Sequence, residues 1–328
     1  MQPALRIGGP EFQVRLSRGA IGTEGFFSMH FGYPAYRTAA FLSRTLPTPI
    51  SYRLAKGLAG LCRRLSPNQQ RAVARNLKRI LAHRGETLSD PDLHLRVRDT
   101  YRAFGKYMAD FFRYSVSDPH ELVRRVTLEG ETSLQDALAR GRGVLLATAH
   151  LGNWELGALH LALQGYPLTV AYRPMASPRI NRLLLDQRTR RGMEALPLGR
   201  AARSLVRTLR EGRMAALLAD RDFTENPIST SFFGAPALLP RGPAVLSFRT
   251  GAPLLPVFML RRPDDGFRLT FKPPIDPTSF ASAESVHAAL AREMEEVIGE
   301  HPDQWFLFDD FWPGGQHEPA SGESAGLR

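Results

Sequence analysis

Gly143 to Gly157 read GVLLATAHLGNWELG, an apolar run that stops at His150 and meets a carboxylate at Glu155. Val144 to Ala149 are too few for a helix of ~10 residues and lead into the turn-prone Leu151-Gly152-Asn153, so they read as a buried strand. His150 then stands at the carboxyl end of that strand. Asn153 is suited to cap a helix from Trp154 to about Leu163, with Glu155 in its first turn, where negative charge complements the helix N-terminus. On one continuous helix this spacing would turn the two side chains about 140° apart, whereas a strand-turn-helix break lets them converge. The stretch therefore predicts a His150–Glu155 pair, the carboxylate holding one ring nitrogen while the other accepts a proton near neutral pH. A buried histidine bonded to backbone, beside a glutamate that merely favours a helix start, fits the same residues.

Outward from this stretch, strands and helices alternate. Upstream, Val126 to Gly130 read as a short strand and Glu131 to Arg140 as a helix closed by Gly141, a strand-helix-strand rhythm that implies a substantially parallel sheet. Downstream come a strand at Leu168 to Tyr172, helices at Pro178 to Arg191 and Ser204 to Gly212, and a buried strand at Met214 to Ala219. That last strand ends in Asp220-Arg221-Asp222, on the edge where His150 also falls, and in open α/β sheets ligands gather beyond the carboxyl ends of strands. A helix at Ala244 to Arg249, a strand at Leu269 to Lys272 and a helix at Ser285 to Gly299 complete the pattern. The fold class is α/β, a mixed, largely parallel sheet flanked by helices over residues 126–315, behind an N-terminal helical region over 31–125.

In that helical region Leu54, Leu58, Leu61 and Leu65 form a helical stripe, with Arg53, Lys56, Arg63 and Arg64 largely off it. Such a helix either packs on the core or lies at a membrane interface, where each basic residue near an anionic surface adds about 1 kcal/mol of attraction. Residues 1–30 show no sustained periodicity and read as a disordered tail or a start assigned too early, and 316–328 read as a flexible tail. No stretch offers ~18 consecutive apolar residues, so membrane contact is expected to be peripheral.

A chain of 328 residues with 43% hydrophobic content can bury a substantial core. Its one cysteine, Cys62, excludes an internal disulfide, and its nine histidines show no metal-ligand spacing, so no metal is expected. Charge is uneven: Arg173 to Arg213 hold eleven arginines, no lysine and three acids, whereas Glu284 to Arg328 hold ten acids and two arginines. A basic face beside a reactive motif suits an anionic, phosphorylated ligand, and arginine suits its planar recognition. No recognition-helix, zinc-finger or RNP pattern accompanies the charge, so nucleic acid is not expected as a partner.

His150-Leu-Gly-Asn-Trp-Glu155 resembles the H-x4-D/E signature of the glycerolipid acyltransferase superfamily, in the form found in the bacterial lipid A late acyltransferases and phosphatidylinositol mannoside acyltransferases. Further matches follow in order: Tyr172-Arg173-Pro174, Arg188 and Arg190 as R-x-R, Asp220-Arg221-Asp222 as D-x-D, Phe232-Phe233-Gly234, Pro240-Arg241-Gly242-Pro243, the Thr250 to Val257 segment, and Pro302-Asp303-Gln304-Trp305. After the last of these, lipid A acyltransferases carry a basic H-R-R segment, whereas this chain has Asp309 and Asp310, which argues against a Kdo-lipid A precursor as acceptor.

The resemblance implies an O-acyltransferase that moves a fatty acyl group from an acyl carrier protein or coenzyme A thioester to a hydroxyl of a lipid or glycolipid. It makes His150 the general base, with Glu155 in support, and gives Arg173, Arg188, Arg190, Asp220, Arg221, Asp222, Phe233 and Gly234 roles in holding substrate. Asp220 could instead support the histidine, cap a turn or pair with Arg221. No G-x-S-x-G motif is present, so no covalent acyl-enzyme is expected, and the thioester is a co-substrate rather than a bound cofactor. The expected place of work is the cytoplasmic face of a bacterial inner membrane. Rival readings are a lysophospholipid or glycerol-phosphate acyltransferase, a thioesterase, and an inactive lipid-binding membrane protein.

Overall fold

A computed structural model describes residues 33–312 apart from 115, 116, 176 and 225. The two expected tails, 1–30 and 316–328, lie outside the described residues. Among the described residues five helices, α1 (Tyr33–Thr45), α2 (Thr48–Leu65), α3 (Pro67–His83), α4 (Asp90–Tyr114) and α5 (Pro119–Arg124), precede β1 (Val126–Glu129). There follow α6 (Glu131–Ala139), β2 (Val144–Thr148), α7 (Trp154–Leu163), β3 (Leu168–Tyr172), α8 (Pro178–Thr189), β4 (Glu194–Pro197), α9 (Leu198–Arg210) and β5 (Met214–Leu218). The chain then makes a hairpin, β6 (Pro227–Phe232) and β7 (Ala235–Pro240), before α10 (Gly242–Thr250), β8 (Leu254–Arg261), β9 (Phe267–Phe271) and α11 (Ala283–Glu300).

The main sheet has the order β1-β9-β8-β2-β5-β3-β4. Pairing is parallel from β8 through β2, β5 and β3 to β4, but β9 runs antiparallel to β8, and β1 pairs parallel with β9. The mixed, largely parallel sheet is therefore as expected, yet β1 does not lie beside β2. It is an outer strand running against it, placed there because β9 recruits it in register from Val126–Phe267 to Glu129–Thr270.

Strand alternation explains why the sheet is covered on both faces. Val144 and Leu146 of β2 pack into a core with Leu134 of α6 and Leu156 and Leu159 of α7. Leu145 and Ala147 face the other way, into a core built with Leu205 of α9, Ala244 of α10 and Leu290 of α11. The connections leaving β2 and β5 thus depart over opposite faces, and the adjoining carboxyl ends of these two strands form the crevice where α/β folds bind ligands.

Several elements escape the sequence pattern. Strand β4 is four half-buried residues ending in proline, α5 is a single short turn, and the β6–β7 hairpin reads as a loop because Pro, Ser, Thr and Ala dominate it. Helix α9 begins at Leu198 rather than Ser204; its inner face is Ala201, Leu205 and Leu209.

In α2 the buried side consists of Ser51, Tyr52, Ala59 and Cys62, while Leu54 and Leu65 are 53% and 65% exposed. The stripe therefore divides: Leu54, Leu61 and Leu65 face away from the core, Leu58 packs against the helical core, and Phe41, Leu42 and Ile50 are exposed as well. No helix among the described residues is long and apolar enough to cross a membrane. The helical region is tied to the sheet by a buried ion pair. Arg261 of β8 reaches Asp110 of α4, whose other carboxylate oxygen accepts a 2.6 Å hydrogen bond from Tyr52. Burial and the Asp110 charge push the Tyr52 phenol up to about 12, so it remains a donor.

Removing one partner of a buried pair leaves the other charge uncompensated. Asp110→Ala is expected to lower unfolding free energy by about 3–5 kcal/mol. Urea denaturation checks this, with Arg75→Ala at the exposed Arg75–Asp310 pair as the comparison, expected to change stability by no more than about 1 kcal/mol.

Candidate active site

Thr148 and Leu218 are partners in the β2–β5 register, and the pairing extends one step through the Ala219 N–H to the Thr148 carbonyl at 2.8 Å. Two residues beyond that pair on each strand stand His150 and Asp220. His150 Nδ1 lies 2.8 Å from one oxygen of the Asp220 carboxylate, and the His150 backbone N–H donates to the other oxygen at 3.0 Å. The Trp305 indole N–H donates to that second oxygen at 2.8 Å.

Asp220 is fully buried. Burial alone would push its carboxyl up, but the His150 charge, the His150 ring, the Trp305 indole and the His150 backbone N–H together hold it below the ordinary carboxylate value. An ionised Asp220 fixes the proton of His150 on Nδ1 and leaves Nε2 as the basic nitrogen. Nε2 carries no hydrogen bond among the described residues, and the histidine side chain keeps 6% of its surface open. Trp154 meets the imidazole edge to face at 5.1 Å and is itself stacked on Tyr107 at 4.4 Å.

The turn after His150 is set by close backbone packing. Gly152 has φ +62°, and a Cβ there would come within 2.0 Å of the Met259 carbonyl oxygen, so only glycine fits. Its N–H donates to the Gln304 carbonyl at 2.9 Å, and the Asn153 N–H donates to the Met259 carbonyl at 2.7 Å. The Asn153 side chain then caps α7 through the Leu156 N–H at 3.1 Å.

This turn carries Glu155 away from the histidine. The predicted His150–Glu155 hydrogen bond is absent; Glu155 instead forms a two-pronged pair with Arg188 of α8, including Nε to Oε2 at 3.2 Å. The carboxylate of His150 is Asp220, 70 residues away in sequence. Arg188 is buried and also lies over the Tyr172 ring at 5.5 Å.

The other predicted residues divide. Arg173 lies 4.6 Å from the centre of the Phe223 ring, and Arg221 lies 5.5 Å from the same ring. Arg221 donates to Asp309 at 2.8 Å; burial raises the Asp309 carboxyl and the Arg221 charge opposes that rise. Asp222 accepts from the N–H and hydroxyl of Thr224, a local turn rather than a contact with His150. Arg190 is exposed at the C-cap of α8.

Phe233 and Gly234 form the tip of the β6–β7 hairpin and are not brought to the histidine. Phe233 is buried against His83, Phe232 and Trp312, and its N–H is taken by Glu295. Leu239 is likewise buried, whereas Leu238 faces solvent. Among the described residues there is no group of three or more His, Cys, Asp or Glu side chains placed to hold a metal.

Sequence reasoning missed the part Trp305 plays, although Gln304-Trp305 stood out as a motif. The Gln304 side chain exchanges two 2.9 Å hydrogen bonds with the Arg261 backbone, acting as a substitute strand that sets Trp305 against Asp220.

A family model for bacterial lipid A biosynthesis acyltransferases matches residues 27–313. A phosphatidylinositol mannoside acyltransferase of Mycobacterium tuberculosis is 29% identical over 285 residues, covering 85% of this chain and 87% of that protein. One from Mycolicibacterium smegmatis is 29% identical over 244 residues, with 73% and 78% covered. The lipid A biosynthesis lauroyltransferase of Escherichia coli is 26% identical over 263 residues, with 79% and 84% covered.

Because native Asp220 holds its proton more weakly than an unfolded aspartate, the unfolded chain takes up more protons as pH falls through the ordinary value of 3.8. The stability that Asp220 contributes is therefore full above 3.8 and is lost as pH drops through the depressed native value. Urea unfolding carried from neutral into acid pH is expected to show this loss in the wild type and a flatter acid limb in Asp220→Asn.

Proposed function

Since the chain belongs to the bacterial lipid A biosynthesis acyltransferase family, we propose that it is an O-acyltransferase using an acyl thioester, on acyl carrier protein or coenzyme A, with His150 as general base. As members of that family do, it acts on a lipid or glycolipid acceptor. The acceptor hydroxyl gives its proton to His150 Nε2 as its oxygen bonds to the thioester carbonyl carbon. The tetrahedral intermediate then collapses, the carbon–sulfur bond breaks, and the proton passes from His150 to the departing thiolate. Asp220 holds the ring's tautomer and offsets the imidazolium charge while the proton is in transit.

The observation that carries this reading is the His150–Asp220 pair at the β2–β5 crevice, with Nε2 left unbonded among the described residues. Glu155 acts one step removed, by fixing Arg188 beside Tyr172. Arg173, which rests on Phe223 and has no ion pair among the described residues, is the cation offered to a phosphate of acceptor or donor.

The same reading places the enzyme peripherally on the cytoplasmic face of a bacterial inner membrane. What supports it is the exposed apolar strip Phe41, Leu42, Ile50, Leu54, Leu61 and Leu65, with Arg53 and Arg64 exposed beside it. Such a strip immerses its apolar side at the headgroup boundary while its arginines meet anionic lipid.

Loss of general-base assistance is worth ~10²–10⁴-fold. In a transfer assay with radiolabelled acyl thioester and lipid extract, His150→Ala is expected to lower kcat by that factor. Asp220→Asn is expected to lower kcat with little change in KM, and Glu155→Gln to act mainly on KM. Persistence of wild-type kcat in His150→Ala would exclude the general-base assignment. For the membrane face, burying a leucine contributes roughly 1.5–3 kcal/mol, so Leu54→Ser/Leu61→Ser is expected to weaken sedimentation with phosphatidylglycerol vesicles by about tenfold or more.

A further inference from the structure

Helix α9 carries a second feature that the acyl-transfer site does not use. Its inner face, Ala201, Leu205, Thr208 and Leu209, is buried against the sheet, so the helix is rigidly mounted. On its outer face Arg200, Arg203, Arg207 and Arg210 are all exposed and recur every three or four residues, within a strip about 80° wide at 100° per residue. Successive arginines at these spacings repel one another. Among the described residues only Glu211 offers relief: it lies 3.9 Å from Arg207, whose side chain is 69% exposed, and is shared with Arg213 at 3.6 Å. Arg200, Arg203 and Arg210 have no ion pair among the described residues.

We propose that this arginine row docks an acidic carrier protein, which presents its thioester-linked acyl chain to His150. The inference rests on the acyl-transfer reading and selects between the two donors that reading allows. Strand β4 is parallel to the neighbouring strands and ends at Pro197, so α9 starts on the sheet edge that bears His150 and Asp220. Arg200 and Arg203 stand nearest that edge. From Arg200 to Arg210 the row runs about 15 Å at 1.5 Å per residue, longer than one nucleotide's phosphates need and comparable to an acidic helix laid alongside.

A membrane is the less suitable occupant. An interfacial helix needs an apolar side to immerse, and α9 exposes no large hydrophobic residue; the apolar strip is on α1 and α2 instead. Charge complementarity of this kind acts mainly on encounter and falls with ionic strength.

The test uses the full chain and the host's acyl carrier protein carrying a palmitoyl thioester, with palmitoyl-CoA as the parallel donor. Surface plasmon resonance measures carrier binding, and thiol release in the presence of host lipid extract measures turnover. Arg203→Glu/Arg207→Glu is expected to raise the carrier Kd at least tenfold and to lower kcat/KM for the carrier thioester by a similar factor, leaving palmitoyl-CoA turnover unchanged. Arg203→Gln/Arg207→Gln, which removes charge without reversing it, is expected to show a smaller loss of the same kind. Unchanged carrier binding in a folded charge-reversed variant overturns the proposal. So do an equal loss with palmitoyl-CoA, a loss of binding to phosphatidylglycerol vesicles in place of the carrier, and wild-type turnover of palmitoyl-CoA alone. Turnover of neither donor by the wild type would overturn the acyl-transfer reading itself, and the docking role with it.

Discussion

A single carboxylate with no access to solvent governs the arrangement. Ionised Asp220 could not be buried without several donors, since an unpaired charge in a protein interior is displaced to its neutral form or excluded. Here three N–H groups converge on it, from the His150 ring, the His150 backbone and the Trp305 indole. Each donor belongs to a different structural necessity. The ring Nδ1 fixes the orientation of the imidazole and leaves Nε2 pointing elsewhere, the backbone N–H fixes where β2 ends, and the indole fixes where the C-terminal segment closes over the site. Satisfying the carboxylate thus fixes strand register, loop path and the final segment together.

That final segment is what separates this site from a bare pair of strand ends. Gln304 joins itself to the edge of β8, the His150 carbonyl accepts from Phe306 at 2.8 Å, and Phe306 and Phe308 pack into the helical region through Phe104. The apolar contacts of Trp154 with Tyr107 complete the same layer. The helices that precede the sheet are therefore part of the wall around the histidine. Their outward side carries the exposed Leu54, Leu61 and Leu65. Acidic Asp309 and Asp310 are each taken up by an arginine of the same chain, Arg221 and Arg75, so their charge is largely offset before any acceptor arrives.

Much of this was legible from residue order alone. A strand ending at His150, a helix capped by Asn153 and a second strand ending at Asp220 follow from local pattern, because length, capping and apolar runs are local properties. Residue order offered two carboxylates for His150, Glu155 by closeness in sequence and Asp220 by its strand end, and favoured the one the fold does not use. Which strands lie side by side, and in what register, depends on contacts between distant segments that no local pattern encodes. Once β2 and β5 pair with Thr148 opposite Leu218, parity brings His150 and Asp220 together. The same gap covers the place of β1, whose neighbour is set by its register with β9. It also explains Phe233 and Gly234: the bulky residue and glycine that resemble a ligand loop form a hairpin tip packed on His83. Trp305 was visible as part of a motif, but its indole N–H acquires meaning only when a buried acceptor is found opposite it.

The account depends on Asp220, rather than Glu155, holding the proton of His150 on Nδ1. Nitrogen-15 NMR of the histidine side chains, with His150 assigned by its loss in His150→Gln, reads that tautomer directly. At alkaline pH the wild type should show His150 protonated on Nδ1 in a strong hydrogen bond, a pattern kept in Glu155→Gln and lost in Asp220→Asn. A His150 protonated on Nε2 in the wild type, or one that responds to Glu155→Gln and ignores Asp220→Asn, would contradict it.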